Sequence, residues 1–232
     1  LPNETEARID LLISRMKECI QKESVSRIQS LAINSLVSGI KQDLSQFNVN
    51  FDTWYSENSL VQSGALETMV TRLKNGGFLY EKDGAWWFRS SDLGDEKDRV
   101  VIRANGSHTY FATDIAYHME KLDRGFDQLI NVWGSDHHGY ISRMKAAIAA
   151  LDRNPNDLTV LTVQFAALYR DGEKVSMSTR SGEFITMREL FEEVGLDAAR
   201  FFYVLRKPEQ HMDFDLDLAK TQSNDNPVYY VQ

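Results

Sequence analysis

Apolar residues recur at helical spacing along the first third of the chain. Ile9, Leu12, Ile13, Met16 and Ile20 follow a start signal at Asn3 and Glu6, and Ile33, Val37, Ile40 and Leu44 form a second set. The spacing predicts two amphipathic helices whose stripes serve as core, or as a groove for a partner. Leu66, Met69, Val70 and Leu73 predict a third helix over 60–75, closed by Gly76-Gly77.

The pattern then shortens to strands. Segments 78–81 and 85–88 flank Asp83-Gly84, and segments 99–103 and 109–111 flank Asn105-Gly106, so two hairpins are expected. From Thr113 onward helix and strand alternate: a helix over 114–121, a short buried strand over 129–133, a helix over 138–151 and a strand over 158–165. An apolar run from Leu161 to Tyr169 reads as strand and turns at Arg170-Asp171-Gly172. Helices over 188–194 and 198–205 follow, the second ended by Pro208. Such alternation implies an α/β fold, a parallel sheet with helices on its faces.

Composition narrows the class. At 232 residues, with 42% hydrophobic and 26% charged positions, the chain can bury a full core as one large domain or two small ones. No apolar run approaches the roughly 18 residues of a membrane helix, and Leu1-Pro2-Asn3-Glu4 lacks the basic and apolar regions of a secretory signal. The single Cys19 forms no internal disulfide and reads as a small buried residue on the first helix, in a reducing, cytosolic setting. A net charge of −8 argues against a domain that grips nucleic acid mainly through its phosphates. Aromatic and apolar residues run on to Gln232, which reads as a cut through a longer chain.

Three stretches carry candidate chemistry. The predicted strand 129–133 opens into Gly134-Ser135-Asp136-His137-His138-Gly139-Tyr140. Ligands of open α/β sheets bind beyond the carboxyl ends of the strands. Gly134 permits close approach there, and Asp136 is placed to accept ribose hydroxyls; a helix-capping Asp is the structural alternative. Asp-His-His also matches the signature of manganese phosphoesterases, with Asp213, Asp215 and Asp217 as the remaining acidic candidates. Packing of the helix start is the structural alternative for His138. In Tyr110-Phe111-Ala112-Thr113-Asp114 a strand feeds a helix through Thr113-Asp114. Asp114 and Tyr110 offer the carboxylate and aromatic hydroxyl that a guanidinium requires, or else a cap and a core tyrosine. The third stretch, Val175-Ser176-Met177-Ser178-Thr179-Arg180-Ser181-Gly182, is a small polar loop hung on a strand, a geometry suited to phosphates.

Taken together, these stretches resemble the catalytic domain of class I aminoacyl-tRNA synthetases, most closely the bacterial arginyl type, with the likeness strongest over residues 73–232. The resemblance implies a partial Rossmann-like parallel sheet with a helical and β-hairpin insertion, the insertion spanning 1–109 and the second Rossmann half 110–232, up to a junction with an anticodon-binding domain. It implies an arginine–tRNA ligase that joins L-arginine and ATP, with Mg2+, into arginyl-adenylate and transfers it to tRNA(Arg), with no protein nucleophile and no tightly bound cofactor. In that family Tyr110 and Asp114 match the arginine-recognising pair, and His137 matches a polar group beside them. Gly134 and Asp136 match the ATP-ribose site. The 175–182 loop is similar to a degenerate KMSKS loop: Ser176 and Thr179 stand where lysines are usual, beside Met177 and Ser178, and Lys174 or Arg180 is left to supply positive charge. The HIGH half and both tRNA-contacting domains are missing from the match, so the chain alone is expected to fold, as a monomer in the cytoplasm, without making adenylate. A synthetase-derived, non-catalytic interaction module remains the other alternative.

Overall fold

Both N-terminal periodic segments are helical, α1 (Thr5–Cys19) and α2 (Lys22–Gln46), in a computed structural model that describes residues 5–19, 22–177 and 184–231. The stripes are not the core that was expected: Ile9, Leu12, Ile13, Ile33 and Ile40 are exposed. Periodicity reports that a helix has an apolar face, and does not report what covers it. Cys19, expected to be buried, is also exposed.

The chain divides into two compact units, one of residues 1–52 and 184–200, the other of residues 53–183 and 201–232. These limits differ from a division at 109/110, because the hairpin region shares its core with the helix and strand that follow. Leu79, Phe88 and Val101 belong to one cluster with Phe111, Ile115 and Leu129.

The helix expected over 60–75 is two, α3 (Asn58–Gln62) and α4 (Ala65–Asn75), separated at Gly64, whose φ of +74° breaks the helical run. Strands β1 (Leu79–Lys82), β2 (Ala85–Phe88) and β3 (Arg99–Ile102) form an antiparallel meander. Asp83 and Gly84, at φ +54° and +73°, make the tight turn that the sequence signalled. The second hairpin is nearly absent, reduced to one bridge between Ile102 and His108. Instead α5 (Tyr110–Asp123) starts where a strand was expected. Thr109 Oγ1 accepts from the Ala112 N–H and caps it. That start puts Phe111, Ala112, Ile115, Ala116 and Met119 on the buried face.

Strand β4 (Leu129–Gly134) leads through a 3-10 helix, Ser135–Tyr140, into α6 (Ile141–Ala150) and then β5 (Leu158–Val163). The two strands pair in parallel from Leu129↔Leu158 to Gly134↔Val163, as the alternation predicted. β4 is buried on one face only: Leu129 and Asn131 are buried, while Ile130 and Val132 are 63% and 65% exposed. The apolar run from Leu161 to Tyr169 is not one strand. It breaks after β5, and β6 (Ala166–Arg170) turns through Asp171 and Gly172 into β7 (Glu173–Lys174).

Helix α7 (Met187–Val194) carries a capping box between Thr186 and Glu189. Its Arg188 Nε donates to Asp43 Oδ1 of α2 at 2.7 Å. Next come α8 (Leu196–Val204), β8 (Met212–Asp215), α9 (Leu216–Lys220) and α10 (Pro227–Val231). β8 pairs in parallel with β6, completing a third sheet of order β7-β6-β8. Among the described residues no helix is long and apolar enough to cross a membrane.

Candidate functional site

Asp114 sits one turn inside α5, because the cap is Thr109 rather than the Thr113-Asp114 pair. The carboxylate is therefore not spent on the helix end. It is half-buried and lines a pocket of about 390 Å³ with Tyr55, Glu57, Leu60, Tyr110, Thr113 and Tyr117. Tyr110 is 82% exposed, so it is no core tyrosine. Tyr55 and Tyr117 stack on one another in its wall, their ring centroids 4.5 Å apart. Burial raises the Asp114 pKa above its ordinary value, while Tyr140, Lys121 and His137 act to lower it. A buried carboxylate flanked by aromatic rings suits a planar cation that never loses its proton.

The carboxyl end of β4 supplies the second group. Gly134 is followed by Asp136 and His137 in the 3-10 helix, and neither residue is the N-cap of α6. The N-cap of the 3-10 helix is Gly134 and that of α6 is Tyr140, so Asp136 stands in the first turn and is the cap of neither. Its Oδ2 lies 3.7 Å from His137 Nε2, with both side chains exposed. A Cβ on Gly134 would stand 2.5 Å from Asp136 Oδ1, so a side chain here would turn that carboxylate away from its present position. His138 is exposed and does not pack the start of α6.

The third stretch lines a different depression. Lys174 at the end of β7, Ser176 and Met177 are exposed and line an open depression of about 780 Å³ with Phe165, His211 and Asp213. The Val175 N–H donates to the Leu168 carbonyl, which ties the start of the loop to β6. Ser178, Thr179 and Arg180 lie outside the described residues. The acidic segment has structural duties: Asp215 caps α9, and Asp217 Oδ2 accepts the Asp171 N–H at 2.6 Å. Among the described residues no group of three or more His, Cys, Asp or Glu side chains could hold a metal ion.

Sequence reasoning missed Tyr55 and Glu57, which reach the Asp114 pocket from a loop without any motif. It also missed Tyr140, whose hydroxyl donates to Asp114 Oδ2 at 2.6 Å. The only signal for Tyr140 was its place at the end of the Gly134–Tyr140 stretch.

The family model described as "tRNA synthetases class I (R), catalytic domain" matches residues 7–214. The chain belongs to that family. An arginine–tRNA ligase of Thioalkalivibrio sulfidiphilus is 60% identical over 98% of the chain, and one of Hydrogenovibrio crunogenus is 59% identical over the same share. The chain spans 39% and 38% of the lengths of these two relatives. A solved structure described as an arginyl-tRNA synthetase of Campylobacter jejuni superposes with a TM-score of 0.84 at 36% identity, covering all of this chain and 52% of that one. The arginyl-tRNA synthetase of Thermus thermophilus shares the fold, with a TM-score of 0.73 at 19% identity over 93% of this chain and 47% of that one. The partial Rossmann-like α/β architecture accords with these neighbours, and neither the phosphoesterase nor the interaction-module alternative finds support.

Proposed function

We propose that this segment is the arginine- and ATP-ribose-binding part of an arginine–tRNA ligase. Asp114 receives the substrate guanidinium, Tyr110 and His137 stand beside it, and Gly134 and Asp136 take the ribose of ATP. Lys174 and the loop Ser176, Met177, Ser178, Thr179 and Arg180 serve the pyrophosphate end, where ATP arrives with Mg2+. The products of the two steps are arginyl-adenylate and arginyl-tRNA(Arg). Catalysis of this kind needs positioning and charge stabilisation rather than a protein nucleophile or a resident cofactor. In this reading the longer protein works as a monomer in the cytoplasm.

The observation that carries the reading is the pocket of Asp114: a carboxylate freed from helix capping, half-buried, and faced by tyrosines and a second acid, Glu57. An always-charged guanidinium repays the burial of such a carboxylate, whereas a neutral ligand leaves it uncompensated. The test is Asp114→Asn in the full-length protein. The arginine KM should rise roughly 30-fold or more, the effect of losing a buried charge-assisted pair, with little change in the ATP KM. An unchanged arginine KM would remove Asp114 from the specificity pocket.

A further inference from the structure

Behind Asp114 runs a chain of contacts that substrate binding as described does not use. Tyr140, at the end of the 3-10 helix after β4, donates its hydroxyl to Asp114 Oδ2 at 2.6 Å. Its ring is wedged edge-on against Phe111 and Trp133, with centroids 5.9 and 5.8 Å away. The Arg143 guanidinium, from α6, lies 4.5 Å over the same ring. Arg143 Nε is 3.8 Å from Asp95 Oδ2, an ionic contact longer than a hydrogen bond. The Asp95 side chain has no exposed surface and is itself held on several sides. Arg99 donates to both its oxygens, at 2.7 and 2.9 Å, the Glu96 N–H donates at 2.9 Å, and Ser142 donates at 3.3 Å. An acid in the loop before β3 thus restrains a cation on α6, the cation restrains a phenol ring, and the phenol restrains Asp114.

We propose that Tyr140, restrained by Arg143 and Asp95, is a positioning residue that presets the Asp114 carboxylate for the substrate guanidinium. This rests on the assignment of Asp114 to the arginine pocket. The choice of donor has a physical reason. A phenol fixes the carboxylate rotamer while leaving its charge intact, whereas a lysine or arginine at that place would compete with the substrate cation. The positive charge of Arg143 acts on Tyr140, over whose ring it lies. Ordering the carboxylate before binding removes that cost from the binding step.

Titration supports the same division of labour. Burial, and then Asp114, push the Tyr140 hydroxyl pKa upward, so it remains a donor at every working pH. Burial raises Asp114, and Tyr140 is the foremost group opposing that rise, ahead of Lys121 on the same helix and His137 on the 3-10 helix. The remaining ionisable groups around the pocket are Glu57 and Tyr55 from the preceding loop and Tyr110 and Tyr117 of α5. Removing the phenol hydroxyl therefore raises the Asp114 pKa further, and arginine use should fail at a higher pH.

The experiment is steady-state kinetics on the full-length protein. Tyr140→Phe should raise the arginine KM by about tenfold, the loss of one hydrogen bond to a charged group, with the ATP KM unchanged. The acid limb of its kcat/KM for arginine should move to higher pH. Added to Asp114→Asn, Tyr140→Phe should raise the arginine KM no further, because it acts through that carboxylate. Arg143→Lys keeps the charge but loses the planar stacking, and should raise the arginine KM roughly twofold to threefold. It also carries the test if Tyr140→Phe fails to fold. An unchanged arginine KM and acid limb in Tyr140→Phe, or additive effects in the double variant, would overturn the proposal while leaving Asp114 in its pocket. An unchanged arginine KM in Asp114→Asn alone would overturn both.

Discussion

Asn131 Nδ2 donates to His118 Nε2 at 2.8 Å, and this contact fixes the charge state of the histidine. His118 Nδ1 must donate to the Asp114 carbonyl, 2.8 Å away, so Nε2 is the acceptor. The Asn131 amide cannot turn over to accept a second proton, because its Oδ1 already takes the Lys121 ammonium at 3.2 Å. Burial first, and then Lys121, lower the His118 pKa to about 4.

Stability should therefore fall in mild acid. The folded state binds a proton at His118 only near pH 4, whereas the unfolded chain does so near pH 6.5, so the unfolded state holds more protons between those values. The contribution is complete above about pH 6.5 and is lost progressively toward pH 4, a loss of about 3 kcal/mol. Urea unfolding at pH 7 and pH 4.5 measures it. A His118→Asn variant should show a flatter dependence, and an equally steep one would assign the acid loss elsewhere.

Asp95 works in the opposite sense. Burial would raise its pKa, but Arg99, the Glu96 N–H and Ser90 bring it down to about 2. The stability it lends is present above about pH 4, the unfolded range of a carboxyl group, and disappears as pH falls through about 2. Asp95→Asn leaves Arg99 and Arg143 without their acid and should cost about 3 kcal/mol at pH 7. Chemical denaturation checks this; a loss below 1 kcal/mol would show that Ser142 and solvent suffice.

Thr109→Ala removes the cap of α5, and with it the hydroxyl that donates to the Val100 carbonyl at 2.9 Å. The expected cost is about 1 kcal/mol, seen as a Tm lower by a few degrees. Thr113→Ala should cost less, because Thr113 Oγ1 only bonds back to the Thr109 carbonyl within the helix. The reverse order would restore the cap to Thr113-Asp114.

Gly134→Ala would place a methyl group 2.5 Å from Asp136 Oδ1, and the carboxylate would have to rotate away. In the full-length protein the ATP KM should rise by about tenfold, close to the effect of Asp136→Ala, with the arginine KM less affected. A crystal structure with an ATP analogue gives the direct check: a ribose that does not touch Asp136 would reject this role.

Several local elements, and the stretches that place Asp114 and Asp136, were legible in the sequence. Helical periodicity located α1, α2 and α5, and Asp83-Gly84 marked its turn because that pair tolerates positive φ. The βα alternation placed Asp136 and His137 at the carboxyl end of a parallel strand. Signals of short range failed where two readings competed locally. Thr109 and Thr113-Asp114 are both cap signals, and burial of Phe111, Ala112 and Ile115 decided between them. Likewise the run from Leu161 to Tyr169 is apolar throughout, and only the pairing of β5 with β4 and of β6 with β8 split it in two. The coverage of an apolar face was never written in its period, as the exposed stripes of α1 and α2 and the open face of β4 show. Tertiary structure alone set the environment of Asp114, because the groups that set its charge and orientation come from distant positions. Tyr140 is 26 residues away in sequence, and the Asp95–Ser142 contact behind it spans 47. Hydrogen bonds and ion pairs form between groups that packing brings within about 3 Å, and no spacing along the chain encodes that proximity.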